Sequence, residues 1–427
     1  MTALVIGAAV SGRAATVLLR SSGETVILYD ADPAAVQGVA ADRVHGGVWD
    51  RSLLDGIDLV VTSPGVPEHA QPIQDSLAAG VPVWSELELG FRHIDAPIAA
   101  VTGTNGKTTV TELAARMLEA SGLRAAAVGN IGDPLSAAAG KRWDALVVEA
   151  SSFQLRFVDT FHARVAVLLN VAPDHLDWHG SFQAYAAAKG RILERQTGDD
   201  LVVFDADDPG AASLVEGSRA ARRLPVSGRS LPPGGWGRYD DRIVLGDLQI
   251  PLEMIPRTDA VMLVDIAAAA AAARDLGATP DGIREATTGF SGGPHRRQVV
   301  GTWNGVTWID DSKATNPHAA LAAVRDHDSV VLIAGGRNKG LDVSPIPLEP
   351  NLRLVVAIGE AASELAAAGG PVKVADSLEE AVAIADETAR SGDTVLLAPG
   401  CASFDMFRSY ADRGERFAAF VRSRKET

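Results

Sequence analysis

The chain has 427 residues, of which 47% are hydrophobic and 22% are charged, and its formal net charge is −15. This composition is typical of a globular protein, and the length exceeds the usual size of one core, so two or three domains are expected. The acidic balance argues against nucleic acid as the main partner. No apolar run reaches the length of a membrane span, and the single cysteine, Cys401, excludes an internal disulfide and suits a reducing cytoplasm.

The first part of the chain alternates short apolar runs, at residues 3–7, 25–28 and 59–62, with alanine-rich segments of helical spacing. This alternation predicts a parallel sheet that binds ligands at the carboxyl ends of its strands. The turn at residues 7–12 has the spacing G-x-x-x-x-G, which matches a dinucleotide turn only in part. A preceding strand and Asp30 at the end of the next one favour nucleotide or phosphate binding there over simple packing. Pro82 and Pro97 bracket a predicted linker near residue 90.

The second part opens with an apolar strand at residues 98–101 that runs directly into Thr102-Gly103-Thr104-Asn105-Gly106-Lys107-Thr108-Thr109. Backbone N–H groups in such a turn bind phosphate, and the start of the following helix assists them. Lys107 would contact the β- and γ-phosphates, and Thr108 or Thr109 could hold Mg²⁺. Val101 stands where the general motif has its first glycine. The sequence therefore predicts a phosphate loop with variant spacing.

The remaining strands are predicted at residues 145–148, 165–169, 201–204, 306–309, 330–334, 354–358 and 394–397. Residues 225–250 are rich in Gly, Pro and Arg, and we expect irregular or antiparallel structure there. A helix at residues 265–276 is almost all alanine. A third unit begins near residue 292. Three α/β units in series are the simplest account of this pattern.

Polar loops follow most of these strands. They lie at residues 149–154, 170–179, 294–296, 310–317, 335–340 and 398–405. Each could be an ordinary turn, but their shared position after strand ends favours one cleft. Four of the seven lysines lie in or beside these loops: Lys107, Lys189, Lys313 and Lys339. From composition alone, Lys189 would lie on a solvated helix face, and Cys401 would pack as a small hydrophobic residue.

Read together, TGTNGKTT, EASSFQL, NVAPDHLDWH, AAK, PHR, DDSKATNP and GGRNKG, in this order over nearly the whole chain, resemble the Mur ligase family. The resemblance implies a three-domain α/β fold. It places a Rossmann-like UDP-sugar domain at residues 1–91, a P-loop ATPase-like domain at 92–293 and a Rossmann-like amino-acid domain at 294–427. The turn SPGVP and the segment LAPGCASFDMFRSYADRGERF favour the members that join D-glutamate to UDP-N-acetylmuramoyl-L-alanine. Those members work through an acyl phosphate, with ATP and two Mg²⁺ ions.

The resemblance also implies roles for individual residues. Catalysis would depend on Lys107, Glu149, His175 and Lys189. ATP would contact Gly103, Thr104, Asn105, Gly106, Lys107, Thr108, Thr109, Asp265, Arg296 and Asp311. Mg²⁺ would be held by Thr108, Glu149, His175 and a carbamylated Lys189. The muramoyl substrate would contact Ser11, Ser63, Asn130 and Ser151, and D-glutamate would contact Lys313, Thr315, Lys339, Ser403 and Tyr410.

Two stretches depart from the pattern of the family. Relatives carry a His-Asn-x-x-Asn run where this chain reads Val261-Met262-Leu263-Val264-Asp265. Only Asp265 keeps a polar group there, so the resemblance leaves the adenine contacts of this strip open. Relatives often have a Thr-Arg pair after the second strand, where this chain has Ala31 and Asp32, so its contacts with the uracil and the diphosphate of the UDP-sugar must differ. A carboxylate beside a diphosphate is unfavourable unless it turns away.

Several alternatives stay open. The chain could be a folylpolyglutamate- or cyanophycin-type ligase, a ligase for L-glutamate, or a nucleotide-binding homologue without catalysis. A dehydrogenase is less favoured because it leaves the phosphate loop without a role, and a phosphotransferase because no hydroxyl acceptor site is evident. We also expect a cytoplasmic monomer that binds neither nucleic acid nor membrane.

Overall fold

A computed structural model describes residues 1–220 and 222–425. The chain forms an α/β protein with three sheets, as the sequence predicts. Backbone contacts divide it into two compact units. The first comprises Met1–Val171 and Trp178–Phe290, and the second comprises Ala172–Asp177 and the described residues from Ser291 onward. The first unit holds two of the sheets, so the boundaries proposed at residues 91 and 293 stay a prediction.

The first sheet is wholly parallel, with strand order β3-β2-β1-β4-β5. Its elements are β1 (Thr2–Ile6), α1 (Val10–Ser21), β2 (Thr25–Asp30), β3 (Arg43–Gly46), β4 (Leu59–Thr62), α2 (Gln71–Ala78), β5 (Val83–Ser85) and α3 (Glu86–Phe91). Helix α1 covers one face through Ala15, Leu18 and Leu19. The carboxyl ends of β1, β2 and β4 bring together the turn at residues 7–12, Asp30 and Ser63.

The linker predicted near residue 90 is wrong. Residues 86–91 form helix α3, whose first five residues are buried. The linker was predicted from Pro82 and Pro97, but both prolines lie outside this helix and do not interrupt it. The buried carboxylates Glu86 and Glu88 accept hydrogen bonds from backbone N–H groups of later residues in the first unit, and these bonds offset part of the cost of burying the two side chains.

The second sheet has nine strands, in the order β14-β13-β12-β11-β10-β9-β6-β8-β7. Its elements are β6 (Ile98–Thr102), α4 (Lys107–Ala120), β7 (Ala125–Gly129), α5 (Leu135–Ala138), β8 (Ala145–Glu149), α6 (Ser152–Arg156), β9 (Val165–Leu168), α7 (Leu176–His179), α8 (Phe182–Gly190), β10 (Leu201–Asp205), α9 (Pro209–Glu216), β11 (Arg222–Ser227), β12 (Trp236–Tyr239), β13 (Arg242–Leu245), β14 (Leu248–Pro251), α10 (Ala260–Asp275) and α11 (Pro280–Thr288). Strands β6 to β11 pair in parallel, and β12 to β14 are antiparallel. The antiparallel structure expected in residues 225–250 is therefore confirmed.

Helix α10 packs against α4 and the adjacent strands with a run of alanines at residues 267–273, each at most 2% exposed. Alanine has the highest helix propensity, and its single methyl group lets a helix approach its neighbours closely. The helix begins five residues earlier than predicted, because the Asp259 carboxylate caps it by accepting a hydrogen bond from the Met262 N–H.

The third sheet has the order β15-β16-β20-β17-β18-β19, with β15 antiparallel and the others parallel. Its elements are β15 (Gln298–Trp303), β16 (Val306–Asp310), α12 (Pro317–Val324), β17 (Val330–Gly335), β18 (Leu352–Ile358), α13 (Ala362–Ala367), β19 (Val372–Val374), α14 (Leu378–Thr388), β20 (Thr394–Leu397) and α15 (Tyr410–Lys425). Short 3₁₀ helices lie at Arg51–Leu54, Arg191–Leu193, Leu252–Met254 and Ile346–Leu348. Within the described residues, no helix has the length and apolar character needed to cross a membrane.

Candidate active site

The phosphate loop lies between β6 and α4, as the sequence predicts. Gly106 has φ = +86°, and a Cβ there would lie 2.7 Å from Oδ1 of Asp265, so glycine is needed for both reasons. Asn170, after β9, fixes the loop: its backbone carbonyl accepts from the Thr104 N–H at 2.8 Å, and its Oδ1 accepts from the Asn105 N–H at 2.8 Å. The loop is therefore held in shape by the neighbouring strand.

Two lysines meet at one carbonyl of this loop. Nζ of Lys107 donates to the Gly103 oxygen at 2.8 Å and to the Thr104 oxygen at 3.0 Å. Nζ of Lys189 donates to the same Gly103 oxygen at 2.6 Å and lies 4.6 Å from the ring centroid of Tyr185. Like charges this close repel each other. Carbamylation of one amine would replace that repulsion with attraction, while the remaining N–H could still donate.

The expectation that Lys189 lies on a solvated face is wrong, because the side chain is only 1% exposed. The alanines before it place it on the inner side of α8, towards the phosphate loop. Tyr185, one turn earlier, has its hydroxyl 3.0 Å from Oγ1 of Thr104. Sequence reasoning missed Tyr185, although its i, i+4 spacing from Lys189 could have placed both on one helix face.

Glu149, at the end of β8, has a carboxylate that is half satisfied. Its Oε1 accepts from Nδ2 of Asn130 at 2.8 Å, whereas Oε2 is buried and has no hydrogen-bond partner among the described residues. A buried carboxylate oxygen without a partner is costly unless a cation or donor binds it. This arrangement fits a hard cation such as Mg²⁺, which prefers oxygen ligands. No group of three or more His, Cys, Asp or Glu side chains in the described part of the chain could hold a metal by itself.

Ser151 caps helix α6. Its Oγ accepts from the Gln154 N–H at 3.3 Å, and Oε1 of Gln154 accepts from the Ser151 N–H at 3.0 Å, which completes a capping box. Because the cap uses the Ser151 hydroxyl, this residue can make its predicted contact with the substrate only through a lone pair that the cap leaves unused.

The glycine turn after β1 is built by close packing. Gly7 has φ = +95°, and a Cβ there would lie 2.8 Å from Ser63, whose Oγ donates to the Gly7 carbonyl at 3.1 Å. Oδ2 of Asp30 accepts from the Ala8 N–H at 2.7 Å. The predicted substrate residue Ser63 therefore supports the turn, and Ser11 lies within the first turn of α1.

Asp32 turns into its own loop, where its Oδ1 accepts from the Ala34 N–H at 2.9 Å. A cation that sequence reasoning missed lies next to this loop. Arg13 donates from Nε to the Ala8 carbonyl at 2.9 Å and from Nη2 to the Ala35 carbonyl at 2.7 Å. The guanidinium of Arg13 joins the glycine turn to the loop after β2. The sequence signal for this role was the position of Arg13 directly after the second glycine of the G-x-x-x-x-G turn.

Asp265 is 4% exposed and its carboxylate faces Gly106 of the phosphate loop. The strip at residues 262–265 is buried within α10. The carboxylate of Asp265 therefore lies against the phosphate loop.

In the second unit, the segment 172–177 carries His175 and Asp174. Asp174 is 4% exposed, and it accepts from Nζ of Lys339 and from Nδ2 of Asn316, each at 3.1 Å. Burial raises the pKa of the Asp174 carboxyl, but the charges of Lys339 and His175 and these hydrogen bonds outweigh it, so the pKa is lowered. Lys339 is thus anchored by a carboxylate that the sequence did not single out as its partner.

The other residues predicted for D-glutamate lie on loops at the carboxyl ends of β16 and β20 and on α15. Nζ of Lys313 lies 4.1 Å from the ring centroid of Tyr410, so these two meet. Ser403 is 2% exposed, and Thr315 lies beside the capping residue of α12, Asn316. Of the two residues of this unit that are predicted to bind ATP, Asp311 accepts a hydrogen bond at Oδ1 from the Arg297 backbone N–H at 3.2 Å. The other, Arg296, has its Nη1 near Gly293.

Cys401 is buried, as expected, and burial raises the pKa of its thiol to about 12. Burial therefore disfavours the thiolate, which is the nucleophilic form of cysteine.

A cleft of about 1050 Å³ lies away from these groups, at the amino ends of the strands, where Pro97, Arg124 and Asp144 line it. In parallel sheets ligands bind at the opposite, carboxyl edge. We therefore assign the candidate active site to the phosphate-loop edge and not to this cleft.

Comparison with known proteins decides the family. The family model described as "Mur ligase middle domain" matches residues 101–226, and the one described as "Mur ligase, glutamate ligase domain" matches residues 295–401. The UDP-N-acetylmuramoylalanine--D-glutamate ligase of Frankia casuarinae is 43% identical over 99% of this chain and 94% of its own. The chain belongs to the Mur ligase family.

Other members of the Mur ligase family match over similar lengths. The protein of the same name from Mycobacterium avium is 39% identical over 98% of this chain and 96% of its own. Among solved structures, a pseudomurein peptide ligase type C from Methanothermus fervidus has a TM-score of 0.62 at 18% identity, covering 98% of this chain and 99% of its own. MurF from Acinetobacter baumannii has a TM-score of 0.61 at 18% identity, covering 87% and 86%. These two structures support the Mur ligase fold.

Proposed function

We propose that this chain is an ATP-dependent ligase that joins D-glutamate to UDP-N-acetylmuramoyl-L-alanine, releasing ADP and phosphate. The observation that carries the proposal is similarity over almost the full length to relatives with the name of that ligase, at 37–43% identity. The phosphate loop, Glu149 and the buried Lys189 give this chain the groups that such a reaction requires. We place the reaction in the cytoplasm as part of the same proposal.

In the first step, the carboxylate of the muramoyl-alanine substrate attacks the γ-phosphorus of ATP, and ADP leaves. The product is an acyl phosphate. Both reactants are anionic, so their approach depends on neutralising charge. Lys107 and the loop N–H groups would bind the phosphates, and Arg296 and Asp311 would contact the nucleotide.

Mg²⁺, when bound, would neutralise the phosphate oxygens and hold them in line. Thr108 and the unpartnered Oε2 of Glu149 would be its ligands, and we include carbamylated Lys189 and His175 for a second ion. A carbamate on Lys189 would place two oxygens that share one negative charge next to the phosphate loop, where an ammonium would repel a cation.

In the second step, the amine of glutamate attacks the acyl carbonyl, and phosphate leaves from a tetrahedral intermediate. Lys313, Thr315, Lys339, Ser403 and Tyr410 would hold the glutamate, and Asp174 would orient Lys339. Asn130, Ser11, Ser63 and Ser151 would face the muramoyl substrate. Excluding water protects the acyl phosphate from hydrolysis.

A folate-type ligase is the second candidate, because E. coli FolC in complex with DHPP and ADP shares the fold. Its TM-score is 0.54 at 20% identity, and it covers 77% of this chain. We favour the muramoyl substrate because the relatives of that name match 98–99% of the chain at about twice the identity.

The deciding experiment measures phosphate release by the wild-type chain with UDP-N-acetylmuramoyl-L-alanine and either D- or L-glutamate. We expect turnover with D-glutamate only. Lys107→Ala should lower kcat by at least about 100-fold, because a charge that stabilises the transition state is lost, while circular dichroism stays unchanged.

Turnover with L-glutamate alone, or with a pteroyl acceptor in place of the muramoyl substrate, would show that the substrate assignment is wrong. An active Lys107→Ala variant would refute the role of the phosphate loop.

A further inference from the structure

One arginine is buried beneath the loops proposed to bind the amino acid. Arg413 lies on α15 and has no exposed surface, although it carries a full charge at neutral pH. Among the described residues, no carboxylate forms a hydrogen bond or an ion pair with it. Buried arginines are normally paired because desolvating a charge is costly, so its retention requires an explanation.

Within the described residues, the guanidinium donates hydrogen bonds to the two loops that flank it. Nε donates to Oγ of Ser312 at 2.9 Å, and Nη2 donates to the Ser312 carbonyl at 2.9 Å. Both Nη1 and Nη2 donate to the Cys401 carbonyl at 3.3 Å. Ser312 precedes Lys313, and Cys401 lies two residues before Ser403. One planar fork thus joins the loop after β16 to the loop after β20.

A third loop and the helix itself are tied to the same group. The would-be Cβ of Gly336 lies 3.3 Å from Nη1 of Arg413, and the adjacent Arg337 exchanges backbone hydrogen bonds with Ala402 at 2.9 and 3.0 Å. This loop carries Lys339. The Oγ of Ser312 also donates to the carbonyl of Tyr410 at 2.7 Å. All five side chains proposed for glutamate therefore stand on segments that Arg413 holds or touches.

The charge of Arg413 is only partly compensated. Burial lowers the pKa of the guanidinium to about 10, and Asp310 and Asp405 counteract this from beyond hydrogen-bond distance. Asp310 is already bonded to Nδ1 of His295 at 2.7 Å, and Asp405 accepts from the Glu360 N–H at 3.0 Å. No direct ion pair in the described part of the chain therefore neutralises the guanidinium, and in surroundings of low polarisability its charge acts over a longer range than in water.

We infer that Arg413 is a positioning residue for the amino-acid substrate, which holds the loops of Lys313, Lys339 and Ser403 in register and adds positive potential that favours a dicarboxylate. The inference rests on the proposed function, because it takes these loops to be the glutamate pocket. Arg413 itself does not touch the substrate.

The test compares KM for D-glutamate with KM for ATP in Arg413→Gln and Arg413→Lys. Arg413→Gln loses both the fork and the charge, so we expect KM for D-glutamate to rise at least about tenfold with less than about a twofold change for ATP. Arg413→Lys keeps the charge but not the fork, so its KM for D-glutamate should lie between those of the wild type and Arg413→Gln. Arg422→Gln, at an exposed position of the same helix, is the matched control and should behave as the wild type.

Equal changes in both KM values, or none, would overturn the inference, because a purely structural role does not select one substrate. If Arg413→Gln does not fold, Arg413→Lys decides: a KM for D-glutamate equal to that of the wild type refutes the inference. A wild-type chain without turnover on D-glutamate would instead refute the proposed function, so the two failures are distinguishable.

Discussion

At the scale of single residues, the shared Gly103 carbonyl links the chemistry of two lysines. A single ammonium that donates to this oxygen forms an ordinary hydrogen bond. Two ammonium groups that donate to it bring like charges together in a partly buried site. The side chain with less access to water, Lys189, bears the larger desolvation cost, and lysine tolerates burial by losing its charge. Carbamylation replaces the positive charge of Lys189 with a negative one that attracts the Lys107 ammonium, and the product is an oxygen ligand for a cation.

We therefore predict a carbamate on Lys189 when the protein is held in bicarbonate. With [¹³C]bicarbonate, the wild-type chain should show a carbamate carbon resonance that Lys189→Arg lacks. Lys189→Arg should also lower kcat by at least about 100-fold, because a charged ligand near the transferring phosphate is lost.

Lys141→Arg is the control, because Lys141 is exposed and lies outside the candidate site. This variant should keep both the resonance and the activity. A resonance that persists in Lys189→Arg, or one that never forms in the wild type, would contradict the prediction.

At the scale of elements, helix α3 carries two buried carboxylates with opposite properties. Glu88 accepts hydrogen bonds from the N–H groups of Asp159, Thr160 and Phe161 and from Nε of Arg92, at 2.7–3.0 Å. Burial raises its pKa, but these donors outweigh burial and the pKa is lowered. Glu86 accepts at Oε1 from the Ser136 N–H at 2.6 Å, whereas its Oε2 has no hydrogen-bond partner in the part of the chain that the structure describes, and burial raises the pKa of Glu86.

These shifts predict opposite pH dependences of stability. The contribution of Glu88 is present above the unfolded pKa, about 4.5, and is lost as pH falls through its lower folded value. The contribution of Glu86 is fully present below that unfolded pKa and is lost as pH rises through its higher folded value. Glu88→Gln should cost about 3 kcal/mol near neutral pH, and the cost should shrink on acidification.

Glu86→Gln is the matched variant, with the same chemical change two residues away. Its stability relative to the wild type should improve as pH rises, opposite to Glu88→Gln. Urea unfolding midpoints between about pH 4 and 8 measure both trends. Parallel trends in the two variants would contradict the structural assignment.

Helix α3 also marks the limit of sequence reasoning. Apolar runs predicted the inner parallel strands to within about two residues, because burial on both faces of a sheet leaves a continuous apolar signal. The edge strands β3, β5, β7, β15 and β19 were not predicted. The burial of Glu86, Glu88, Lys189 and Arg413 could not be predicted, since it depends on partners far along the chain. The phosphate loop was predictable because its residues are contiguous, whereas Asp174 and Lys339 are 165 positions apart.

At the scale of the whole molecule, the net charge of −15 gives copies of the chain a mutual repulsion. We therefore predict a monomer, with a light-scattering mass near 44.5 kDa at physiological salt. The mass should not change when protein concentration rises tenfold. A mass of twice this value would show that a specific interface outweighs the repulsion.

The second unit includes six residues that lie more than a hundred positions before the rest of it. The chain thus contributes to this unit twice, and no single cut between residues 178 and 290 separates the two units cleanly. A fragment ending at residue 290 would contain Asp174 without Lys339 and Asn316, so its carboxylate would lose two of its hydrogen-bond donors and keep the His175 N–H. Fragment complementation, domain exchange between relatives and gene fusion at this boundary must therefore treat residues 172–177 as part of the later segment.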